Sequence, residues 1–195
     1  MKFVIIGIIS YLIGSFSSAF FLGKAIKKID IRVHGSGNSG TTNAIRVMGF
    51  RMGVLTFLID FAKGAIAVLI GFYLEGYNGG LLGGICAVLG HDYPIYIRFK
   101  GGKGVATSIG ALAILDFPMA LISVIIGLIV GFFTKYVSLG SIVFFVLNPF
   151  ISIIINNPNN RYLTLTTVFL GLLGICRHKS NIERLIRGNE NKIGR

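Results

Sequence analysis

Three polar segments carry residue types and spacings suited to phosphate chemistry. The first reads Gly35-Ser36-Gly37-Asn38-Ser39-Gly40-Thr41-Thr42-Asn43. Its three glycines let a backbone approach an oxyanion closely and turn successive N–H groups toward it, while Ser36, Thr41, Thr42 and Asn43 add side-chain donors. Such a loop reads as an anion nest. Arg46, just beyond it, supplies a full charge with bidentate geometry matched to phosphate. The formal GxGxxG within the loop is a weak dinucleotide fingerprint, because no soluble strand precedes it and no βαβ unit follows. The competing reading is a flexible linker.

The second segment reads Gly90-His91-Asp92-Tyr93-Pro94 and then Phe99-Lys100-Gly101-Gly102-Lys103-Gly104-Val105-Ala106-Thr107. Lys103 sits where a glycine-rich bend meets an expected helix start, so the helix dipole and the ammonium both favour an anion there. Lys103 is followed by Gly rather than Ser or Thr, which removes support for ATP hydrolysis. Anchoring of the chain by cytoplasmic cations would explain the charge of this segment but not its glycines. The third segment runs from Arg177 to Glu190. On a helix, His178 and Asn181 share a face with Ile182 and Leu185 that could turn back toward a bundle, although a lone histidine is often purely structural. Asp60 and Lys63, one helical turn apart inside an apolar run, could simply pair with each other; a charge in a span is still a functional candidate.

The elements that must position these residues follow from composition. Of 195 residues, 53% are hydrophobic and 13% charged, and glycine numbers 27; mean hydropathy is +0.78. A soluble domain carries roughly 25% charged residues, and a core of this size cannot hide so much apolar surface. Soluble globular and disordered classes are thereby excluded, and the chain belongs in a bilayer. A net charge of +12 then reads as cytoplasmic orientation or as a site for anionic substrates rather than as nucleic-acid binding. Cys86 and Cys176 each lie in an apolar run with no CxxC or His/Cys cluster nearby, so neither a disulfide framework nor a metal site is expected.

The first apolar run, 3–23, is uncharged and about the ~20 residues a spanning helix requires. It is too long for a signal-peptide core, and Lys24, Lys27 and Lys28 follow it where a cleavage site would stand. Further runs cover about 53–74, 79–97, 105–115, 117–134, 137–155 and 162–176, with a turn at Glu75-Gly76-Tyr77-Asn78 and a helix start signalled by Asp116-Phe117-Pro118. Seven spans are therefore expected, two of them short, forming one all-α membrane domain over 1–195. With the N-terminus outside, only Lys2 and Arg161 lie on the outer face, Lys63 lies within a span, and the remaining cations gather with the C-terminus on the cytoplasmic face. A five-span arrangement is the fallback. No internal repeat or matched pair of interrupted helices is visible, which weakens a secondary-transporter reading.

The three polar segments, in this order, resemble the three motifs of the bacterial acyl-phosphate:glycerol-3-phosphate acyltransferase family, PlsY, and the similarity runs over essentially the whole chain. The family commonly has Ala at the position of Thr41. The resemblance implies a seven-span enzyme of the bacterial inner membrane whose site faces the cytoplasm. It would move a fatty acyl group from acyl phosphate to the 1-hydroxyl of sn-glycerol 3-phosphate, releasing lysophosphatidate and inorganic phosphate. It also implies Ser141 as a glycerol 3-phosphate contact. The catalytic candidates are Ser36, His178 and Asn181. The substrate-binding candidates are Gly35, Gly37, Asn38, Gly40, Thr41, Thr42, Asn43, Arg46, Lys103 and Ser141.

A mixed anhydride is already activated, so neither a metal nor an organic cofactor is required. The hydroxyl proton has two candidate acceptors, His178 and the donor's own phosphate, and the phosphate is favoured, with His178 and Asn181 orienting substrate. The expected partners are acyl phosphate, glycerol 3-phosphate and the bilayer, without nucleic acid; nothing in the sequence specifies an oligomeric state. A phosphate transporter would explain the basic loops equally well, but its site is expected near the midplane. A two-metal phosphatidyl-alcohol transferase needs aspartates on adjacent helical turns, and Asp30, Asp60, Asp92 and Asp116 are too scattered.

Overall fold

The computed structural model describes residues 1–156 and 160–192, within which all regular structure is helical. The chain divides into two compact units, 1–115 and 116–195.

In the first unit, α1 (Lys2–Ser15) leads into α2 (Ser18–Leu22) and a π-helical turn, Gly23–Lys27. A 3-10 turn, Ile31–Val33, precedes α3 (Thr41–Met48); α4 (Phe50–Asp92), a second 3-10 turn (Ile95–Ile97) and α5 (Val105–Leu115) complete the unit. α4 folds back on itself at Glu75 and Gly76, where Gly76 takes φ 58, ψ −153. That is a conformation an L side chain rarely adopts, which explains the glycine within the expected turn. Its two limbs run antiparallel in close contact, since a Cβ on Gly71 would strike the Gly79 carbonyl and one on Gly83 the Ala67 carbonyl. α1 meets the second limb at Gly14 and Gly90, and α5 meets the first at Gly64 and Gly110, again backbone to backbone. In lipid no hydrophobic force drives helices together, so small residues that let backbones approach supply the attraction. Much of the chain's glycine is thus spent on helix packing rather than on loops.

The expected first span, 3–23, is not one helix. Phe16 (φ −65, ψ 106) and Ser17 (φ −87, ψ 91) are extended and separate α1 from α2. The Phe16 carbonyl, released from the helical ladder, accepts a hydrogen bond from Lys63 Nζ at 2.9 Å. At one end of the unit Lys2 pairs with Glu75 at 3.1 Å. At the other, Arg32 Nη1 donates to the Ile97 carbonyl at 3.0 Å, so the polar segments 28–49 and 93–104 lie together.

The second unit holds α6 (Phe117–Thr134), α7 (Val137–Asn156), α8 (Arg161–Arg177) and α9 (Lys179–Ile186). The expected start of α6 is confirmed: Asp116 Oδ1 accepts the Met119 N–H at 2.9 Å, and Pro118 occupies the first turn, where its missing N–H costs nothing. α6 and α7 pack through Gly127 and Gly140, and α8 packs on α7 with Gly174 against the Phe145 ring. Among the described residues four helical stretches are long and apolar enough to cross a membrane: Lys2–Lys27, Phe50–Ile97, Phe117–Thr134 and Val137–Ile155. The second of these is the one that folds back at Glu75 and Gly76. Val105–Leu115 is a shorter apolar helix.

Candidate functional site

The first loop is built around Asn43. This side chain is 1% exposed. Its Oδ1 accepts the Ser36 N–H at 2.8 Å, and its Nδ2 donates to the His34 carbonyl at 3.0 Å and the Ile31 carbonyl at 3.3 Å. Asn43 therefore holds the loop in shape, and its amide is committed to that task rather than presented to an anion. Gly35 (φ 60) and Gly37 (φ 72) have left-handed backbones, and a Cβ on Gly35 would collide with Asn43 Oδ1. Gly40 is the N-cap of α3 and has no side chain to bond the first N–H groups of that helix, those of Thr41 and Thr42. The Ser39 and Thr41 hydroxyls are buried without a partner among the described residues. Thr42 and Arg46, one turn apart on α3, are both exposed. The opposite face of α3 packs Ala44 and Met48 with Ala19 and Ile31. The sequence thus makes α3 amphipathic, with its apolar side fixed and its N-terminus and Arg46 open.

Arg32 fastens this loop region to the second one. It forms a bidentate pair with Asp30 at 3.0 and 2.8 Å, stacks over the Phe20 ring at 4.6 Å, and reaches the Ile97 carbonyl. The Arg32 hydrogen bonds hold the Asp30 carboxyl down at about 2, against the opposing effect of burial. The pair raises the Arg32 guanidinium in turn.

The second motif folds over the end of α4. The Gly102 N–H donates to the His91 carbonyl at 3.1 Å, and a Cβ on Gly102 would strike His91 Nε2. A Cβ on Gly101 would meet the His91 carbonyl and the Pro94 ring. Gly104 (φ 70) starts α5 with the fully buried Asp92 carboxylate beside it. These glycines are required by close packing, a cause that spacing alone did not reveal, and the Asp92 side chain already stands near the α5 N-terminus. Lys103, on the same bend, is half-buried.

Asp60 and Lys63 do pair, at 2.8 Å, and His91 joins them: Lys63 Nζ lies 2.7 Å from His91 Nδ1, and His91 Nδ1 lies 3.5 Å from Asp60 Oδ1. The expected pairing omitted the histidine because His91 lies 28 residues along the chain from Lys63.

In the second unit, His178 is buried, with Nδ1 2.7 Å from the Gly174 carbonyl. A carbonyl only accepts, so Nδ1 carries the proton. Its ring packs at 6.0 Å against Phe145, one turn from Ser141 on α7. Asn181 is also buried and donates to Glu190 at 2.9 Å, while Arg184 holds the other Glu190 oxygen at 2.8 Å. The shared inward face of His178 and Asn181 is therefore present. Ser141 is half-buried and its hydroxyl donates to the Val137 carbonyl at 3.0 Å. Sequence reasoning left out Phe145 and the bridging role of Glu190. Glu190 carried one signal: an acid near Arg184 in a basic tail.

A family model described as glycerol-3-phosphate acyltransferase matches residues 4–188. A glycerol-3-phosphate acyltransferase of Thermoanaerobacter pseudethanolicus is 44% identical over 194 residues, covering 100% of this chain and 97% of the relative. One of Shouchella clausii is 46% identical over 191 residues, covering 95% and 93%. A crystal structure of PlsY, an integral membrane glycerol 3-phosphate acyltransferase, in its glycerol 3-phosphate form matches with TM-score 0.93 and 36% identity, over 100% of this chain and 96% of that one. The lysophosphatidic acid form matches with TM-score 0.89 and 35% identity over the same shares. The chain is an all-α integral membrane protein and belongs to the glycerol-3-phosphate acyltransferase family.

Proposed function

We propose that this chain is a single membrane-embedded acyltransferase domain that moves a fatty acyl group from acyl phosphate to the 1-hydroxyl of sn-glycerol 3-phosphate. The observation that carries the reading is the loop 35–43, locked by Asn43 and opening onto the uncapped N-terminus of α3 with Arg46 on its exposed face. Such a terminus attracts phosphate through its N–H groups and dipole. The glycerol 3-phosphate and lysophosphatidic acid forms of PlsY support the acceptor and product classes.

In the reaction the acceptor hydroxyl oxygen bonds to the acyl carbon, the anhydride C–O bond to phosphate breaks, and the hydroxyl proton passes to the departing phosphate. The protein aligns the two substrates and offsets charge on the carbonyl oxygen and the leaving group. Arg46 and the loop residues Gly35, Gly37, Asn38, Gly40, Thr41 and Thr42 handle phosphate, with Asn43 shaping them. Lys103 and Ser141 hold glycerol 3-phosphate, and His178 and Asn181 orient substrate. Ser36 is the serine an ester intermediate would use.

Purified protein given acyl phosphate and glycerol 3-phosphate should release inorganic phosphate only when both are present. Phosphate movement across vesicles without acyl transfer would favour a transporter instead. Lys103→Ala should remove a charge-assisted hydrogen bond of roughly 1.5–3 kcal/mol, about 10- to 150-fold, seen chiefly as a raised KM for glycerol 3-phosphate. An unchanged KM with normal kcat refutes that role. A folded His178→Gln enzyme should retain measurable turnover, because the phosphate takes the proton. Complete loss in a variant that still binds substrate, or an acylated Ser36 in mass spectrometry, would overturn this mechanism.

The asymmetry of Lys and Arg supports seven spans with the N-terminus outside and the site at the cytoplasmic face of the bacterial inner membrane. In a background lacking Cys86 and Cys176, single cysteines near Gly35, Gly101 and Gly188, at the exposed His34, Lys100 and Asn189, should be labelled from the cytoplasm only, and one at Arg161 from outside only. Asn157, in the outer loop of this arrangement, lies outside the described residues. Labelling at His34 and Lys100 from opposite sides would sink the model.

A further inference from the structure

We propose that Asp60, Lys63 and His91 form a positioning cluster that sets the bend 101–104 and, through it, the placement of Lys103. The proposal rests on the reading of Lys103 as a contact for the acceptor's phosphate. All three side chains are at most 5% exposed within α4. Lys63 is held from two sides, by Asp60 at 2.8 Å and by the Phe16 carbonyl at 2.9 Å, the carbonyl that the break between α1 and α2 releases. Its third neighbour is His91 Nδ1 at 2.7 Å. An ammonium has only hydrogens to offer, so Nδ1 accepts, and the ring proton sits on Nε2.

The ring is thereby fixed along one edge, and its other edge is the surface against which Gly102 packs so closely that a Cβ there would strike Nε2. The backbone of the same residue completes the connection, the His91 carbonyl accepting the Gly102 N–H at 3.1 Å. Gly102 is followed directly by Lys103, and Gly104 then opens α5. A charge at the centre of a membrane helix is costly, and a buried ion pair seldom adds stability over apolar residues of the same shape. The cluster's contribution is geometric: it transmits a fixed position from α1 and α4 to the bend that carries the lysine.

The test is a double-mutant cycle on the full chain in detergent, with KM for glycerol 3-phosphate, KM for acyl phosphate and kcat measured separately. Lys63→Met alone strands the Asp60 carboxylate, so Asp60→Asn combined with Lys63→Met, which removes both charges, is the principal variant. Gly102→Ala, which displaces the His91 ring without touching a charge, is the second. Each should raise KM for glycerol 3-phosphate about 10-fold or more, with kcat and KM for acyl phosphate changed less than about 3-fold. Added to Lys103→Ala, neither should raise KM further, because both act through that lysine. A raised KM in Lys103→Ala beside an unchanged KM in both variants overturns the positioning role alone, and so does full additivity. An unchanged KM in Lys103→Ala refutes the phosphate role of Lys103 and the proposal with it. Loss of folded protein in both variants assigns the cluster to stability and also overturns the proposal.

Discussion

Asn43→Leu should lower kcat/KM by at least about 100-fold in protein that still folds. The substitution keeps the branched shape and the number of heavy atoms in the side chain and removes all three hydrogen bonds that shape the loop, to Ser36, His34 and Ile31. It also leaves the Ser36 N–H without its acceptor. Three such bonds at roughly 1 kcal/mol each amount to about 3 kcal/mol, which is the factor stated. The loss falls on activity because α3 is anchored separately, by Ala44 and Met48 against Ala19 and Ile31. Steady-state kinetics alongside a thermal melt in detergent separate the two effects. Near-normal kcat/KM would show that the loop does its work without a fixed shape.

Gly64→Leu should abolish folding altogether. A Cβ at this position would strike the Thr107 carbonyl, and backbone of α5 cannot rotate aside as a side chain can. Ordinary overpacking costs ~1–3 kcal/mol; here an entire helix must be pushed away, against a total stability of about 5–15 kcal/mol. Gly7→Ala is the matched control, since its Cβ would meet only Cys86 Sγ at 3.7 Å. Size-exclusion chromatography should show a single folded species for Gly7→Ala and only aggregate for Gly64→Leu. A well-folded Gly64→Leu protein would mean that α4 and α5 are not in backbone contact.

Hydropathy placed the long helices well because apolar runs in lipid are a local property of the chain. The turn at Glu75-Gly76 and the capped start at Asp116 were legible for the same reason. The break at Phe16 and Ser17 was not: it contains neither Gly nor Pro, and its carbonyl finds its use at Lys63, 47 residues away. Likewise, the glycines at 101, 102 and 104 matched a phosphate-loop pattern by type, whereas the structure sets them against His91 and Asp92. Asn43 reads from the sequence as a donor to substrate, whereas its amide donates to carbonyls of the segment just before the loop, those of Ile31 and His34. Arg32 went unnoticed because its acceptor, Ile97, lies 65 residues ahead. In each case residue type announced the kind of interaction, and only the fold named the partner.

The fold-back of α4 also bears on how the chain enters its membrane as it is synthesised. Isolated at a helix centre, an Asp or a Lys raises the cost of insertion by roughly 2.5–3.5 kcal/mol. The limb that carries Asp60 and Lys63 emerges with the two charges already one turn apart, and the Phe16 carbonyl precedes both in the chain. The ammonium therefore has two acceptors at hand before the second limb exists. His91 arrives only when translation has passed Gly76 and the hairpin closes. Translocation of the two limbs as a pair lets the nascent chain neutralise its own intramembrane charge in the order in which that charge is made.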